Sequence, residues 1–234
     1  MTIALDAVRP GVRRRSLFYG GMSLAFLAVT FAGFARTYFL RPWFHPQPLQ
    51  PLLHLHGALF TSWLLLFFAQ TTLVAAGRTD IHRRLGIAGA ALAAAMVVVG
   101  VVTGVVRTPQ RELGFLTVPL GDMFVFAILV GTALWFRRRL DIHKRLMTIA
   151  TIGILPAPMS RVPLAFIEHG GLLAAFGLAD LFILPLLAHD FITRGRPHRA
   201  TLLGGAFLVA SHPLRTIIGH THAWLAFANW LKAM

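Results

Sequence analysis

Apolar runs of about twenty residues alternate along this chain with short breaks rich in arginine, a spacing that matches one bilayer thickness per run. Read as helices, the runs predict spans over 17–39, 52–76, 85–106, 115–136, 146–167, 171–191 and 200–222. The expected fold is therefore all-α, a polytopic seven-helix membrane bundle. Residues 1–16 form a basic N-terminal segment, 17–222 the transmembrane domain and 223–234 an aromatic C-terminal segment. In that last segment Trp224, Phe227 and Trp230 recur at helical spacing, which suits the headgroup layer.

Within the runs, small residues and prolines modify the picture. The third run carries Gly86, Gly89, Ala90, Ala93, Ala94 and Gly104, a face narrow enough for close helix contact. Pro156, Pro158 and Pro163 interrupt the fifth, and broken helices survive in a bilayer where protein buries them or they line a cavity. Between the first two runs, Arg41-Pro42-Trp43-Phe44-His45-Pro46-Gln47-Pro48 reads as an interfacial loop.

The breaks contain a repeat. Asp80-Ile81-His82-Arg83-Arg84-Leu85 returns as Asp141-Ile142-His143-Lys144-Arg145-Leu146, with a looser echo at Arg196-Pro197-His198-Arg199. Each copy precedes an apolar run, so the aspartate is placed to cap a helix and the basic residues to anchor it at the membrane boundary. Asp80, His82, Arg83, Asp141, His143, Lys144 and Arg145 are thus expected as an interfacial motif.

Composition agrees with a bilayer. Hydrophobic residues make up 56% and charged ones 13% of the 234 positions, and mean hydropathy is +0.70. The net charge of +14 is no nucleic-acid signature, because the basic residues cluster in the breaks. Arg9, Arg13 to Arg15, Arg78, Arg83, Arg84, Arg137 to Arg139, Lys144, Arg145, Arg194, Arg196 and Arg199 fall on one side, fifteen of the 22 basic residues. The positive-inside rule makes that side cytoplasmic, with the N-terminus in and the location a bacterial inner membrane. The first run, preceded by Arg13 to Arg15, imitates a signal peptide but is long for one and is read as a retained helix. With no cysteine, thiolate metal sites, disulfides and covalent haem attachment are excluded.

Depth reckoned at 1.5 Å per residue gathers the intramembrane polar residues in the outer half. Asp122 and Arg161 fall about 10 Å below the outer surface, Asp180 about 13 Å, His212 and Arg215 roughly 8–15 Å, and His56 about 6 Å. Such groups must face one another inside the bundle. His56, Trp63 and Gln70 share a helical face, with His54 turned away. Arg161 with Asp122 or Asp180 is expected as a structural ion pair. His45, His169, His220 and His222 read as solvated.

Three kinds of chemistry fit. Haem b would need His56 and His212 as axial imidazoles, with Arg161 and Arg215 beside its propionates. A metal-dependent membrane enzyme would use His56, His212, Asp122 and Asp180 as ligands, although no compact ligand motif is present. An accessory subunit or small-molecule or lipid carrier would use the Asp/Arg layer for binding. Arg78 to Gly86, R-x-x-x-H-R-R-L-G, and His143 to Met147, H-K-R-L-M, resemble the His-basic-x-Leu patterns of a large group of uncharacterised bacterial multi-pass membrane proteins. The same short patterns resemble transmembrane b-type cytochromes of the ascorbate-reducible kind. That second resemblance implies a haem-binding, redox-associated protein partnered by the lipid bilayer and other membrane redox subunits. In those cytochromes the haem imidazoles sit within the spans, whereas His82 and His143 stand at the boundary beside Arg or Lys.

Overall fold

The computed structural model describes residues 10–45, 47–163 and 165–233; the first nine residues of the expected N-terminal segment lie outside them. Among the described residues the chain is helical with no strand. Six helical stretches among the described residues are long and apolar enough to cross a bilayer: Leu17–Phe39, Pro51–Ala75, Thr79–Arg107, Gln110–Trp135, His169–Arg194 and Arg199–Gly219.

Besides a single helical turn, Arg41–Phe44, in the segment expected as a loop, the helices of the described residues are α1 (Pro10–Phe34), α2 (Pro51–Ala75), α3 (Thr79–Arg107), α4 (Thr117–Trp135), α5 (Leu140–Ile152), α6 (Pro156–Met159), α7 (Ala165–Asp180), α8 (Ile183–Arg194), α9 (Arg199–Gly219) and α10 (His222–Ala233). A π-helical turn, Ala35–Phe39, extends α1, and a 3-10 segment, Gln110–Leu116, leads into α4. Consecutive helices α1 to α5 pack side by side, α9 fills the space against α4 and α5, and α6 lies on α1.

The expected fifth span, 146–167, is not a continuous helix. Its first part belongs to α5, which begins six residues earlier, and turns at 153–155 precede the four-residue α6. Pro156, Pro158 and Pro163 lack an N–H, and each removes one bond of a continuing helix. Pro163 is exposed, whereas the stretch around Pro156 and Pro158 is buried and lies on α1. There a Cβ on Gly33 would collide with the Pro158 carbonyl, so only glycine lets the two backbones approach this closely. Further on, α7 bends at Gly171, where φ is 54°.

The core runs through the bundle centre. Phe26, Met96, Phe126, Ile149, Leu155 and Leu208 are fully enclosed. Trp63 meets Phe126 edge-on at 5.0 Å and donates its indole N–H to Thr151 Oγ1 at 3.2 Å. Leu65, Val98, Phe124 and Leu203 point outward on the spans, a face suited to lipid. On α3 the small face expected for packing is in place at Gly89, Ala93 and Gly104, whereas Ala94 is exposed.

Candidate functional site

Four ionisable side chains from three helices meet near the end of the bundle opposite the D-I-H motifs. Asp122 sits in the second turn of α4, directly after Gly121, whose bare Cα leaves a channel for the Arg215 side chain. A Cβ there would come within 2.6 Å of Arg215 Cδ. Arg215 and His212 are neighbours one turn apart on α9, and Asp180 ends α7. The Arg215 guanidinium donates to Asp122 Oδ1 and, at 2.9 Å, to Ser211 Oγ. His212 Nδ1 lies 3.1 Å from Asp180 Oδ2. An ionised carboxylate only accepts, so the ring proton belongs on Nδ1 and Nε2 keeps its lone pair. Phe176 covers the imidazole face at 4.1 Å with the ring planes 7° apart, and Arg215 rests over the same phenyl ring.

This cluster is incompletely satisfied. His212 and Arg215 are only 4% and 5% exposed, yet His212 Nε2, Asp180 Oδ1 and Arg215 Nε are buried without a hydrogen-bond partner. A buried polar atom without a partner costs about 1–3 kcal/mol, more when charged, and three around one His–Asp–Arg group mark a place where water or a solute belongs. Pro213 adds to this: it has no N–H, so the Val209 carbonyl loses its helical donor one turn before the cluster.

The other residues expected in this layer stand apart. His56 stacks on Phe60 at 4.2 Å and its Nδ1 is buried without a partner. His56 lies against Phe60 of its own helix, whereas His212 pairs with Asp180 and stacks on Phe176, so the two rings are held by different neighbours. Arg161 is not the partner of Asp122 or Asp180. The proline break releases it from α5 toward α1, where its guanidinium lies 4.9 Å from the Phe34 ring centre and donates to Ala157 O at 2.6 Å and Ser160 Oγ at 3.3 Å. The aspartates turn instead to Arg215 and His212.

A second polar network occupies the other end, and there the interfacial expectation needs correcting. Arg145 is 2% exposed and its guanidinium grips the fully buried Asp190 of α8. Asp190 Oδ2 also accepts from the Thr201 hydroxyl at 2.6 Å and the His198 backbone N–H at 3.0 Å. Arg145 donates in turn to the Asp141 carbonyl at 2.7 Å, and the His198 ring bridges Asp141 Oδ2 at 2.9 Å and the Ala200 N–H at 3.0 Å. The Ala200 amide can only donate, so His198 Nδ1 accepts and its Nε2–H donates to Asp141. That bond, reinforced by the amides of Asp141 and Ile142, holds the Asp141 carboxyl below the ordinary carboxylate range. Every polar atom of Asp190 has a donor, so this network reads as a structural clamp joining α5, α8 and α9. Asp190 stands one residue from the end of the expected span 171–191, so depth along the helix does not single it out, and only its burial against Arg145 shows its role.

The remaining motif residues behave as boundary groups. Asp80 pairs with Arg78 at 3.5 Å in solvent, and Arg83 donates to Thr79 O at 3.3 Å. Lys144 lies 4.9 Å above the Tyr19 ring. His82 and His143, the matching members of the repeat, come side by side with ring centres 6.3 Å apart.

Among the described residues no three His, Asp or Glu side chains gather as a metal-ligand group. No protein-family model, curated protein or solved structure matches this chain.

Proposed function

We propose that this is a bacterial inner-membrane protein of seven crossings whose Asp122–Arg215 and Asp180–His212 pairs form a binding site for a small polar solute or lipid headgroup, in the manner of a carrier or accessory subunit. The observation that carries the reading is the trio of buried, unpartnered atoms, His212 Nε2, Asp180 Oδ1 and Arg215 Nε, around the Asp122–Arg215 ion pair and the Asp180–His212 hydrogen bond. They offer an acceptor ring nitrogen, a carboxylate oxygen and a cationic N–H within one group, the complement of a ligand bearing both a donor and an acceptor. Ionisable groups within spans are costly and mark solute or proton paths. The seven-crossing count is supported by the clamp: it ties the start of α5 to the end of α8, so residues 140–194 leave one end and return to it. Orientation follows the arginine distribution, with the clamp end cytoplasmic.

The test is native mass spectrometry of the protein released from mild detergent. The wild-type chain is expected to retain a bound small molecule or lipid that Asp180→Asn and His212→Gln release while folding is unchanged. Identical spectra from all three would end the reading.

A second reading, haem b with redox partners, draws on one feature. An imidazole whose Nδ1–H is held by a carboxylate and whose Nε2 is free has the posture of an axial or metal ligand. This reading keeps His56 as the second axial ligand. A Soret band in the purified protein, lost in His212→Gln, is the expected sign of haem; a colourless preparation after haem addition removes it.

A further inference from the structure

We infer that His82 and His143 form a site for a divalent transition-metal ion at the basic end of the bundle, independent of the Asp–Arg–His cluster. Two observations converge. In sequence, the histidines occupy the same place in the two copies of D-I-H-basic-Arg-Leu. In space, the first turns of α3 and α5 bring these two rings together, 6.3 Å between centres and 85° between planes.

The His143 ring is held as a ligand is. His143 Nδ1 lies 2.8 Å from the Ala133 carbonyl. A carbonyl only accepts, so that nitrogen carries the proton, the ring is fixed, and Nε2 presents its lone pair. His82 Nδ1 is buried without a partner. Gln70 donates from Nε2 to the His82 carbonyl at 3.2 Å and leaves its Oε1 buried and unpartnered, an oxygen donor beside the pair. A metal–imidazole bond of about 2.0–2.1 Å puts a ring centre roughly 3 Å from the ion, so two rings sharing one ion sit about 5 Å apart at a tetrahedral angle and roughly 6 Å apart when opposed. The observed spacing is at the open end of that range, and a side-chain shift of about 1 Å brings it to the tetrahedral value.

Charge around the pair selects the ion. Of the motif's cations, Lys144 lies over Tyr19, Arg145 is bound to Asp190 and Arg84 is exposed, while Arg83 donates to Thr79 O and stays near enough to act electrostatically on His82. The motif's anions are engaged too, Asp80 with Arg78 and Asp141 with His198. Two imidazoles and an amide oxygen, with no carboxylate in the set, suit Zn2+, Cu2+ or Ni2+ and not Mg2+ or Ca2+. Water would complete the coordination.

The test uses the full-length, tag-free protein in detergent, titrated with Zn2+ against a chromophoric chelator. One equivalent is expected to bind in the presence of excess Mg2+. His82→Gln and His143→Gln are each expected to weaken it by about tenfold or more, while the double change His220→Gln with His222→Gln leaves it unchanged. Absence of a bound equivalent, retention of affinity in both single variants, or loss in the control pair would overturn the site. Should the variants fail to fold, pulsed electron paramagnetic resonance of Cu2+ on the wild-type chain decides: couplings from two imidazoles are expected, and one or none refutes the pair.

Discussion

Arg145 and Arg215 are both buried arginines paired with aspartate, yet they are used differently. Around Arg145 every donor and acceptor of Asp190 is matched, and removing the cation would strand a carboxylate in the core. Arg145→Met is therefore expected to cost about 3–5 kcal/mol, read as a lowered thermal midpoint in detergent, with Asp190→Asn similarly harmful. A change of Arg84, the matching residue in the first repeat, is expected to stay within about 0.5 kcal/mol because that side chain is exposed. The Asp141–His198 link is pH-dependent. Its carboxyl is depressed in the folded protein, so its contribution is present above the unfolded value of about 4 and is lost as pH falls through the lower folded value. Thermal midpoints measured from pH 6 down to pH 3 are expected to fall less steeply in Asp141→Asn than in wild type. Equal slopes would mean that the bond adds nothing.

Among the helices, the break between α5 and α6 governs how the polar residues are shared out. A straight helix over 146–167 would have carried Arg161 along its own axis; the prolines instead turn it toward Phe34, which leaves Asp122 to Arg215. Gly33 is the counterpart of that break on α1. Gly33→Val is expected to destabilise by about 1–3 kcal/mol, because its side chain would meet the Pro158 backbone, which has no rotamer to give. Gly20→Ala, on the same helix with nothing within 4 Å, is expected to be neutral or slightly stabilising. Thermal unfolding of the two variants side by side separates the close approach from the general cost of altering α1.

For the whole molecule, the absence of cysteine makes topology directly measurable. Single cysteines at His45, between α1 and α2, and at Arg138, between α4 and α5, lie at opposite ends of the bundle. With the N-terminus inside, a membrane-impermeant maleimide applied to intact cells is expected to label His45→Cys and to reach Arg138→Cys only after permeabilisation. The reverse pattern would invert the orientation, and labelling of both would contradict an odd number of crossings between them.

The apolar runs alone determined that the chain is helical and suited to a membrane, because in a bilayer core backbone satisfaction and length leave little else for such a run to be. Counting residues along each run also set an expected depth for its polar residues. Which partners those residues take was decided only by tertiary structure. Arg161 and Arg215 are alike in charge and expected depth, and no periodicity tells which one faces Asp122. That depends on the rotation of each helix about its axis, on the glycine beside Asp122 and on where the prolines bend the chain. Arg145 shows the same limit: beside Asp141, His143 and Lys144 it reads as an interfacial anchor, and only the arrival of α8 and α9 turns it into the buried centre of a clamp.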